Sequence, residues 1–264
     1  MESTNLKEVK YSAFRCIGCG VCKGGYMSNV SPCPIWLSSA GFEHETPRGI
    51  ITIAREILEG ELEYSEELAE LLARCTACGN CRVMCGSINE ETGEPLINPY
   101  DIGAAMRADM VEQGMTPTKV KEFLENVLNY GNPYGELKEK RSNWAEGTGI
   151  RQYKSGDDFL YYVGCVGSYD AKSQESAKAV GSLLLDAGVS FGILGNEEVC
   201  DGNEVNKLGE RDFFQSLAEE NTQMFKEKGV KKIVTLSPHA YNAMKNDYPE
   251  FNENFEVMHY TQLL

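Results

Sequence analysis

Two cysteine triplets constrain this chain more than anything else in it. Cys16-Ile-Gly-Cys19-Gly-Val-Cys22 and Cys75-Thr-Ala-Cys78-Gly-Asn-Cys81 share one spacing, and each is followed by a fourth cysteine, Cys33 (before Pro34) and Cys85. Cysteines at two-residue gaps let a short loop wrap one corner of a cube, with each thiolate on a different iron. Zinc takes four ligands in a tetrahedron, usually as separated pairs, which a repeated triplet matches poorly. Disulfides fit no better: eight of the ten cysteines sit in these two groups, and a reducing cytosol keeps such groups free for metal. The triplets predict two [4Fe-4S] clusters, each needing a fourth ligand from outside its triplet.

In two-cluster ferredoxins that ligand comes from the other motif, because each distal cysteine starts a helix pointing at the opposite cluster. On that logic Cys16, Cys19, Cys22 and Cys85 hold cluster 1, and Cys75, Cys78, Cys81 and Cys33 hold cluster 2. Two departures from the ferredoxin pattern stand out. Ten residues, 23–32, separate Cys22 from Cys33 where three are usual, so a loop is inserted there, and Cys85 is followed by Gly86 rather than proline. Gly18, Gly20 and Gly79 leave backbone N–H groups free to approach cluster sulfides, which tunes potential.

Helical patterns surround the triplets. Pro47 to Glu59 has Thr46 as cap, Pro47 in the first position and Gly60 after its end, with Ile50, Ile53, Ala54, Ile57 and Leu58 on one face. A second helix follows Ser65, a third runs from Asn98-Pro99 to Gly114, and a fourth from Thr118 to Tyr130. Residues 131–156 have no sustained period and read as a linker. Beyond them, strands at Phe159–Val163, Val189–Leu194, Lys232–Leu236 and Glu256–Tyr260 alternate with helices at Ala171–Ala187, Asp212–Lys228 and His239–Lys245. Such alternation implies a parallel sheet. The expected fold is α+β: an all-α, two-cluster ferredoxin-like domain over residues 1–130, the linker, and a small α/β domain over 157–264.

The chain resembles the heterodisulfide reductase and glycolate/lactate oxidase iron–sulfur subunit family. The resemblance rests on the two cysteine sets, Pro47-Arg48-Gly49 with its helix, Gly131-Asn-Pro-Tyr-Gly135 and the α/β region. In that family the α/β part carries cysteine-rich CCG repeats, usually two, in the order Cys, Cys-Cys-Gly, Cys-Pro-His-Cys. Here Gly164-Cys165 begins the frame, Cys200-Asp201-Gly202 follows residues 166–199, and Ser237-Pro238-His239-Ala240 follows the Gly202–Leu236 stretch. Cys165 and Cys200 remain, while Asp201, Ser237 and Ala240 replace the other three cysteines of the one repeat present. All three pieces are expected at strand ends, on one edge of the sheet. Two thiolates cannot hold a cube, and oxygen or nitrogen donors suit iron–sulfur poorly. The site reads as an emptied structural remnant, with a metal on Cys165, Cys200 and His239, or redox thiol chemistry, as the alternatives. His239 is expected to serve the helix start as a cap. His44 and His259 have no ligand-spaced partner, and Tyr161-Tyr162 read as core.

The resemblance implies a non-catalytic electron-transfer subunit that relays single electrons through two [4Fe-4S] clusters, within a heterodisulfide-reductase-like or 2-hydroxyacid-oxidase-like complex. The other reading it offers is a catalytic thiol–disulfide reductase working at the CCG site. Expected partners are redox subunits carrying flavin or iron–sulfur centres, in a hetero-oligomer. A formal charge of −15 argues against nucleic acid or anionic lipid as the main partner. Neither a signal-peptide core nor a run near the ~18 apolar residues of a membrane span is present, so a soluble, cytoplasmic protein is expected. No GxGxxG or P-loop supports a nucleotide site.

Overall fold

The helix Pro47–Glu59 forms where its caps predict. The Thr46 hydroxyl accepts a hydrogen bond from the Gly49 N–H at 3.4 Å, and Gly60 closes the last turn in the left-handed conformation. A computed structural model describes residues 4–25, 31–39, 41–93, 95–251 and 255–264. The chain divides into two compact units: residues 1–121 with 207–210, and residues 122–206 with 211–264. Residues 26–30 of the insertion after Cys22 lie outside the described residues.

The first unit is helical. Ser65 caps Glu66–Ala73 and Asn98 caps Pro99–Glu112. Ile50, Ile51 and Ala54 pack with Leu6, Leu68, Leu72, Ile102 and Met106 in one buried core. Asp109, deep in that core, accepts hydrogen bonds from the N–H groups of Asn5 (2.7 Å) and Leu6 (3.2 Å) and from the Tyr64 hydroxyl (2.8 Å). One buried carboxylate thereby satisfies free N–H groups of the helix Thr4–Glu8.

Gly49 shows why Arg48 is followed by glycine. A Cβ there would lie 2.0 Å from the Glu43 carbonyl oxygen and 2.7 Å from the His44 Cα, both backbone atoms that cannot swing away. Gly49→Ala is expected to cost about 2–3 kcal/mol, read as a lower urea midpoint in circular dichroism.

In the second unit four parallel strands lie in the order β2-β1-β3-β4, with β1 Phe159–Tyr162, β2 Phe191–Gly192, β3 Lys232–Thr235 and β4 Glu256–His259. Leu160 pairs with Gly192 on one side and with Ile233 on the other. Adjacent side chains on β1 point to opposite faces. Tyr161 packs with the helix Ala171–Asp186 and its hydroxyl donates to the Ala177 carbonyl at 3.2 Å; Tyr162 meets Phe225 of the helix Arg211–Glu227 edge to face. Helices therefore cover both faces.

β2 is much shorter than the Val189–Leu194 run suggests. Residues 151–153 run alongside it, with the Tyr153 N–H donating to Ile193, and a Cβ on Gly192 would lie 2.4 Å from the Tyr153 backbone. The 131–156 stretch is ordered within this unit. Asn132 holds the Gly131–Gly135 turn by accepting from Tyr134 and Glu136 N–H groups and donating to two carbonyls, and Trp144 is buried edge-on against Tyr161. Among the described residues no helix is long and apolar enough to cross a membrane.

Candidate iron–sulfur centres

The two triplets fold alike. Gly20 and Gly79, both at positive φ, precede the short helices Val21–Gly24 and Asn80–Met84 that carry Cys22 and Cys81. Two residues earlier, Gly18 and Ala77 also have positive φ, at 73° and 52°. Alternating left-handed residues turn successive N–H groups toward one point, a geometry that receives anions such as thiolates and sulfides. Ala77 does this despite its Cβ, at a cost of about 1 kcal/mol. Nothing in its residue type announces it; only alignment of the two triplets could have.

Side chains from the helix Pro47–Glu59 brace the first triplet. Arg48 donates through Nη1 to the Gly18 carbonyl at 3.0 Å and through Nε to Glu43 at 2.6 Å. Arg55, two turns on and on the same face, donates to the carbonyls of Ala13 (2.8 Å) and Cys16. Sequence reasoning did not single out either arginine, though their seven-residue spacing was the available signal.

Cys22 is buried, and that burial together with the charges of Cys16, Cys19 and Cys85 pushes its thiol up to about 12. Burial does the same to Cys81, up to about 12, reinforced by the nearby thiols of Cys75, Cys22 and Cys78. Cys85 thus stands with the first triplet, and Cys22 is close enough for the two groups to adjoin. Cys33 lies with the second triplet: Asn80 donates to the Pro32 carbonyl at 3.1 Å, and Cys33, Cys75, Cys78 and Cys81 line one open cavity. Cys33 sits just before the first turn of the helix Pro34–Ser38, whereas Cys85 follows the end of its helix, so only one distal cysteine starts a helix.

The donor set fits iron–sulfur clusters. Buried thiols crowded by other thiols resist ionisation until a cation compensates them, and soft thiolates favour iron–sulfur. Among the described residues no group of three His, Cys, Asp or Glu side chains is placed to hold a single ion. Thiolates on four separate irons stand further apart than ligands of one ion. Arg107, from the helix Pro99–Glu112, also lines the Cys33 cavity and is the only charged side chain there besides the thiols, among the described residues. It is 6% exposed, its Nε donates to the Lys207 carbonyl at 2.6 Å, and its buried Nη1 and Nη2 have no hydrogen-bond partner.

The CCG frame assembles at the sheet edge. A Cβ on Gly164 would lie 3.6 Å from Ser237 Cβ and 4.0 Å from the Asp201 carboxylate, so all three pieces meet. Gly164-Cys165 follows β1 and Ser237 follows β3, but Cys200 comes from a loop beyond the 3-10 turn Gly195–Glu197 rather than from a strand end. Ser237 is the cap of the helix Pro238–Asn242, accepting from the N–H groups of His239 (3.2 Å) and Ala240 (3.3 Å). His239 is therefore not the cap; its ring pairs with Glu204. Asp201 is buried, and that burial pushes its carboxyl up to about 6.

Comparison with known proteins gives a family for each unit. Residues 12–118 match the 4Fe-4S dicluster domain, and residues 159–245 match the cysteine-rich CCG domain. The chain is 35% identical over 263 residues to a Bacillus subtilis protein named "Probable iron-sulfur-binding oxidoreductase FadF", covering 92% of this chain and 36% of that one. It is 35% identical over 215 residues to EtfAB:quinone oxidoreductase of Syntrophomonas wolfei, covering 78% and 29%. It is 30% identical over 286 residues to one subunit of the dihydromethanophenazine:CoB–CoM heterodisulfide reductase of Methanosarcina barkeri, covering 100% and 65%. The chain spans less than two thirds of the length of each. No solved structure matches it. With [4Fe-4S] clusters as its cofactors, the chain joins a member of the 4Fe-4S dicluster domain family to a member of the cysteine-rich CCG domain family.

Proposed function

We propose that this chain is the electron-relay part of an iron–sulfur oxidoreductase, with cluster 1 on Cys16, Cys19, Cys22 and Cys85 and cluster 2 on Cys75, Cys78, Cys81 and Cys33. The observation that supports the reading is that Cys33 lines one cavity with Cys75, Cys78 and Cys81, while Cys85 acts electrostatically on Cys22 of the first triplet. Each cluster, when bound, supplies a one-electron couple. The chain's own residues then hold, orient and insulate. The left-handed turns at Gly18, Gly20, Ala77 and Gly79 direct N–H groups inward, Arg48 and Arg55 fix the first loop, and Ile35, Ile50 and Pro99 supply an apolar wall beside the second set. We place the end of the dicluster segment near residue 130 and the start of the CCG segment near 157, with 131–156, ordered within the second unit, leading into the latter.

The partners we propose are redox subunits bearing flavin or further iron–sulfur centres, in a cytoplasmic hetero-oligomer. Three names support this, since the relatives are oxidoreductases or a subunit of one. Catalysis at the CCG site is disfavoured: three of five cysteine positions hold Asp201, Ser237 and Ala240, and the Ser237 oxygen is occupied in capping. Anaerobically prepared protein should carry about eight irons per chain and, once reduced, show two interacting [4Fe-4S]⁺ centres by EPR. Zinc in the triplets, or a third cluster near Cys165, would refute the assignment. Native co-purification identifies the partners.

A further inference from the structure

Both triplets sit in locally basic stretches of an otherwise acidic chain. Residues 4–25 hold Lys7, Lys10, Arg15 and Lys23 against Glu8 alone, and residues 74–89 hold Arg74 and Arg82 with no carboxylate, whereas the whole chain has 40 Asp and Glu to 25 Lys and Arg. Some of these cations serve the loops themselves: Lys23 pairs with Glu43 and Arg74 with Glu45. Others face outward. Lys10, Arg15 and Arg82 are exposed, and among the described residues none of the three pairs with a carboxylate.

Two of them lie on the short helix Lys10–Arg15, where Tyr11 and Phe14 stand one turn apart on the same face. The Arg15 guanidinium stacks 3.9 Å from the centre of the Tyr11 ring, and the Lys10 ammonium lies 5.8 Å from that of Phe14. Arg55 lies 5.9 Å from the Phe14 ring and donates to the carbonyls of Ala13 and Cys16, which ties this aromatic face to the first cysteine of the triplet. Tyr11 is 65% exposed. Beyond it, Ile17 is 84% exposed between Cys16 and Cys19, and Val83 is 82% exposed between Cys81 and Cys85. Neither side chain can ligate iron, and neither adds to the core. The short helices Val21–Gly24 and Asn80–Met84 pack on each other, so the two loops adjoin, and Cys19 is itself at the surface. Cations that only offset cluster charge would turn toward the loops, as Arg48 does to the Gly18 carbonyl. Lys10 and Arg15 lie on exposed rings instead.

We infer that this face, from Lys10 to Ile17 with Arg82 and Val83 on the adjoining loop, is the port through which cluster 1 exchanges single electrons, and that it docks an acidic redox protein. The inference rests on the proposed relay, which puts cluster 1 behind these loops. Tyrosine and arginine are the side chains most over-represented among binding hot spots, and an apolar centre within a polar rim is the usual anatomy of an interface. The matching partner presents carboxylates around an apolar patch that covers its own redox centre. At about 0.15 M salt, charges more than about 8 Å apart are largely screened, so these local cations rather than the net charge of the chain set the encounter. One electron leaves the chain, oxidising it by one equivalent, and the partner's centre is reduced by one. A lipid surface is disfavoured, because membrane binding scales with buried apolar area and two rings on a six-residue helix offer little.

The test uses the full chain with its clusters, kept anaerobic at about 0.15 M salt. The probes are flavodoxin, an acidic one-electron flavoprotein, and cytochrome c, a basic one-electron haem protein. Calorimetry gives the Kd of the oxidised chain for each probe, and stopped-flow absorbance gives the rate at which the reduced chain delivers its electron. Lys10→Glu with Arg15→Glu and Arg82→Glu is expected to weaken flavodoxin binding and slow its reduction about tenfold, while cytochrome c reacts at least as fast as before. Ile17→Ser with Val83→Ser should lower flavodoxin affinity about fivefold. Reversing exposed lysines of the other unit, in Lys172→Glu with Lys178→Glu and Lys231→Glu, should change either quantity less than about twofold. Iron counts and a redox titration of every variant separate docking from driving force. Should the triple reversal at Lys10, Arg15 and Arg82 lose iron, the exposed Ile17 and Val83 pair still decides. A lowered potential with unchanged flavodoxin affinity would show that the cations serve the cluster alone. Equal losses from the two triple reversals would leave only net charge, and binding to phosphatidylglycerol vesicles that the face variants abolish, with flavodoxin affinity untouched, would give the face to lipid. Each of these overturns the inference. A wild-type chain that holds its clusters yet reduces neither probe would overturn the relay, and the port with it.

Discussion

The Cys33→Ala protein is expected to lose one cluster and keep the other, falling from about eight to about four irons per chain. Cys33 lines the same cavity as Cys75, Cys78 and Cys81, and the Asn80–Pro32 hydrogen bond holds the segment before it against the second triplet. Each thiolate bonds its iron directly, and no other lining side chain replaces it: Ile35, Pro47 and Ile50 offer no donor atom, and the oxygens of Thr76, Asn80 and Tyr100 suit iron–sulfur poorly. Pairwise variants separate crossed from uncrossed ligation, because losses within one ligand set do not add while losses in different sets do. Cys33→Ala with Cys81→Ala should lose no more iron than either alone, and Cys33→Ala with Cys22→Ala should lose both clusters. The opposite pattern would place Cys33 on the Cys22 cluster and end the crossed assignment.

The second large effect is expected at Arg107. Its charge is buried beside the Cys33 cavity without a carboxylate in the lining, and Nη1 and Nη2 lack partners. An unpaired buried guanidinium is costly, and a cluster with four thiolates carries the negative charge that would offset it. Reduction adds one more negative charge, so a nearby cation favours the reduced state and raises the potential. At roughly 6 Å and an effective dielectric of about 20, a unit charge is worth about 3 kcal/mol, or on the order of 100 mV for one electron. Arg107→Met should therefore make the potential of one cluster more negative by about that amount, with the other nearly unchanged, in an EPR-monitored redox titration. Arg107→Lys should restore most of the shift. An unchanged potential would show that the guanidinium does not face the cluster.

Much of the fold was readable as local chemistry. Thr46, Pro47 and Gly60 bound a helix because capping and left-handed closure depend on neighbours a few residues away, and the structure begins and ends the helix there. β1, β3 and β4 sit within a residue of where apolar β-branched and aromatic runs place them. β2 departed because its edge is covered by residues 151–153, which no local pattern in 189–194 encodes. For the same reason Gly131 to Gly156 looked featureless: its order comes from Asn132 closing a turn on itself and from Trp144 finding Tyr161 on a strand further along.

The division is sharper at the sites. Ligand type and count are properties of residues, so the triplets, Cys33 and Cys85 announced soft-metal chemistry before any fold was known, and the frame at Cys165, Cys200 and Ser237 announced its own missing thiols. Which groups stand together is a property of long-range packing. Only the tertiary structure brought an unpaired Arg107 from the helix Pro99–Glu112 to the cavity that Cys33 shares with the second triplet, and turned Ala77 into the left-handed region. It alone placed Arg141 against Cys165, because a buried charge must find its partners wherever the folded chain presents them, and Glu198, Val199 and Cys165 are neighbours of Arg141 only in three dimensions.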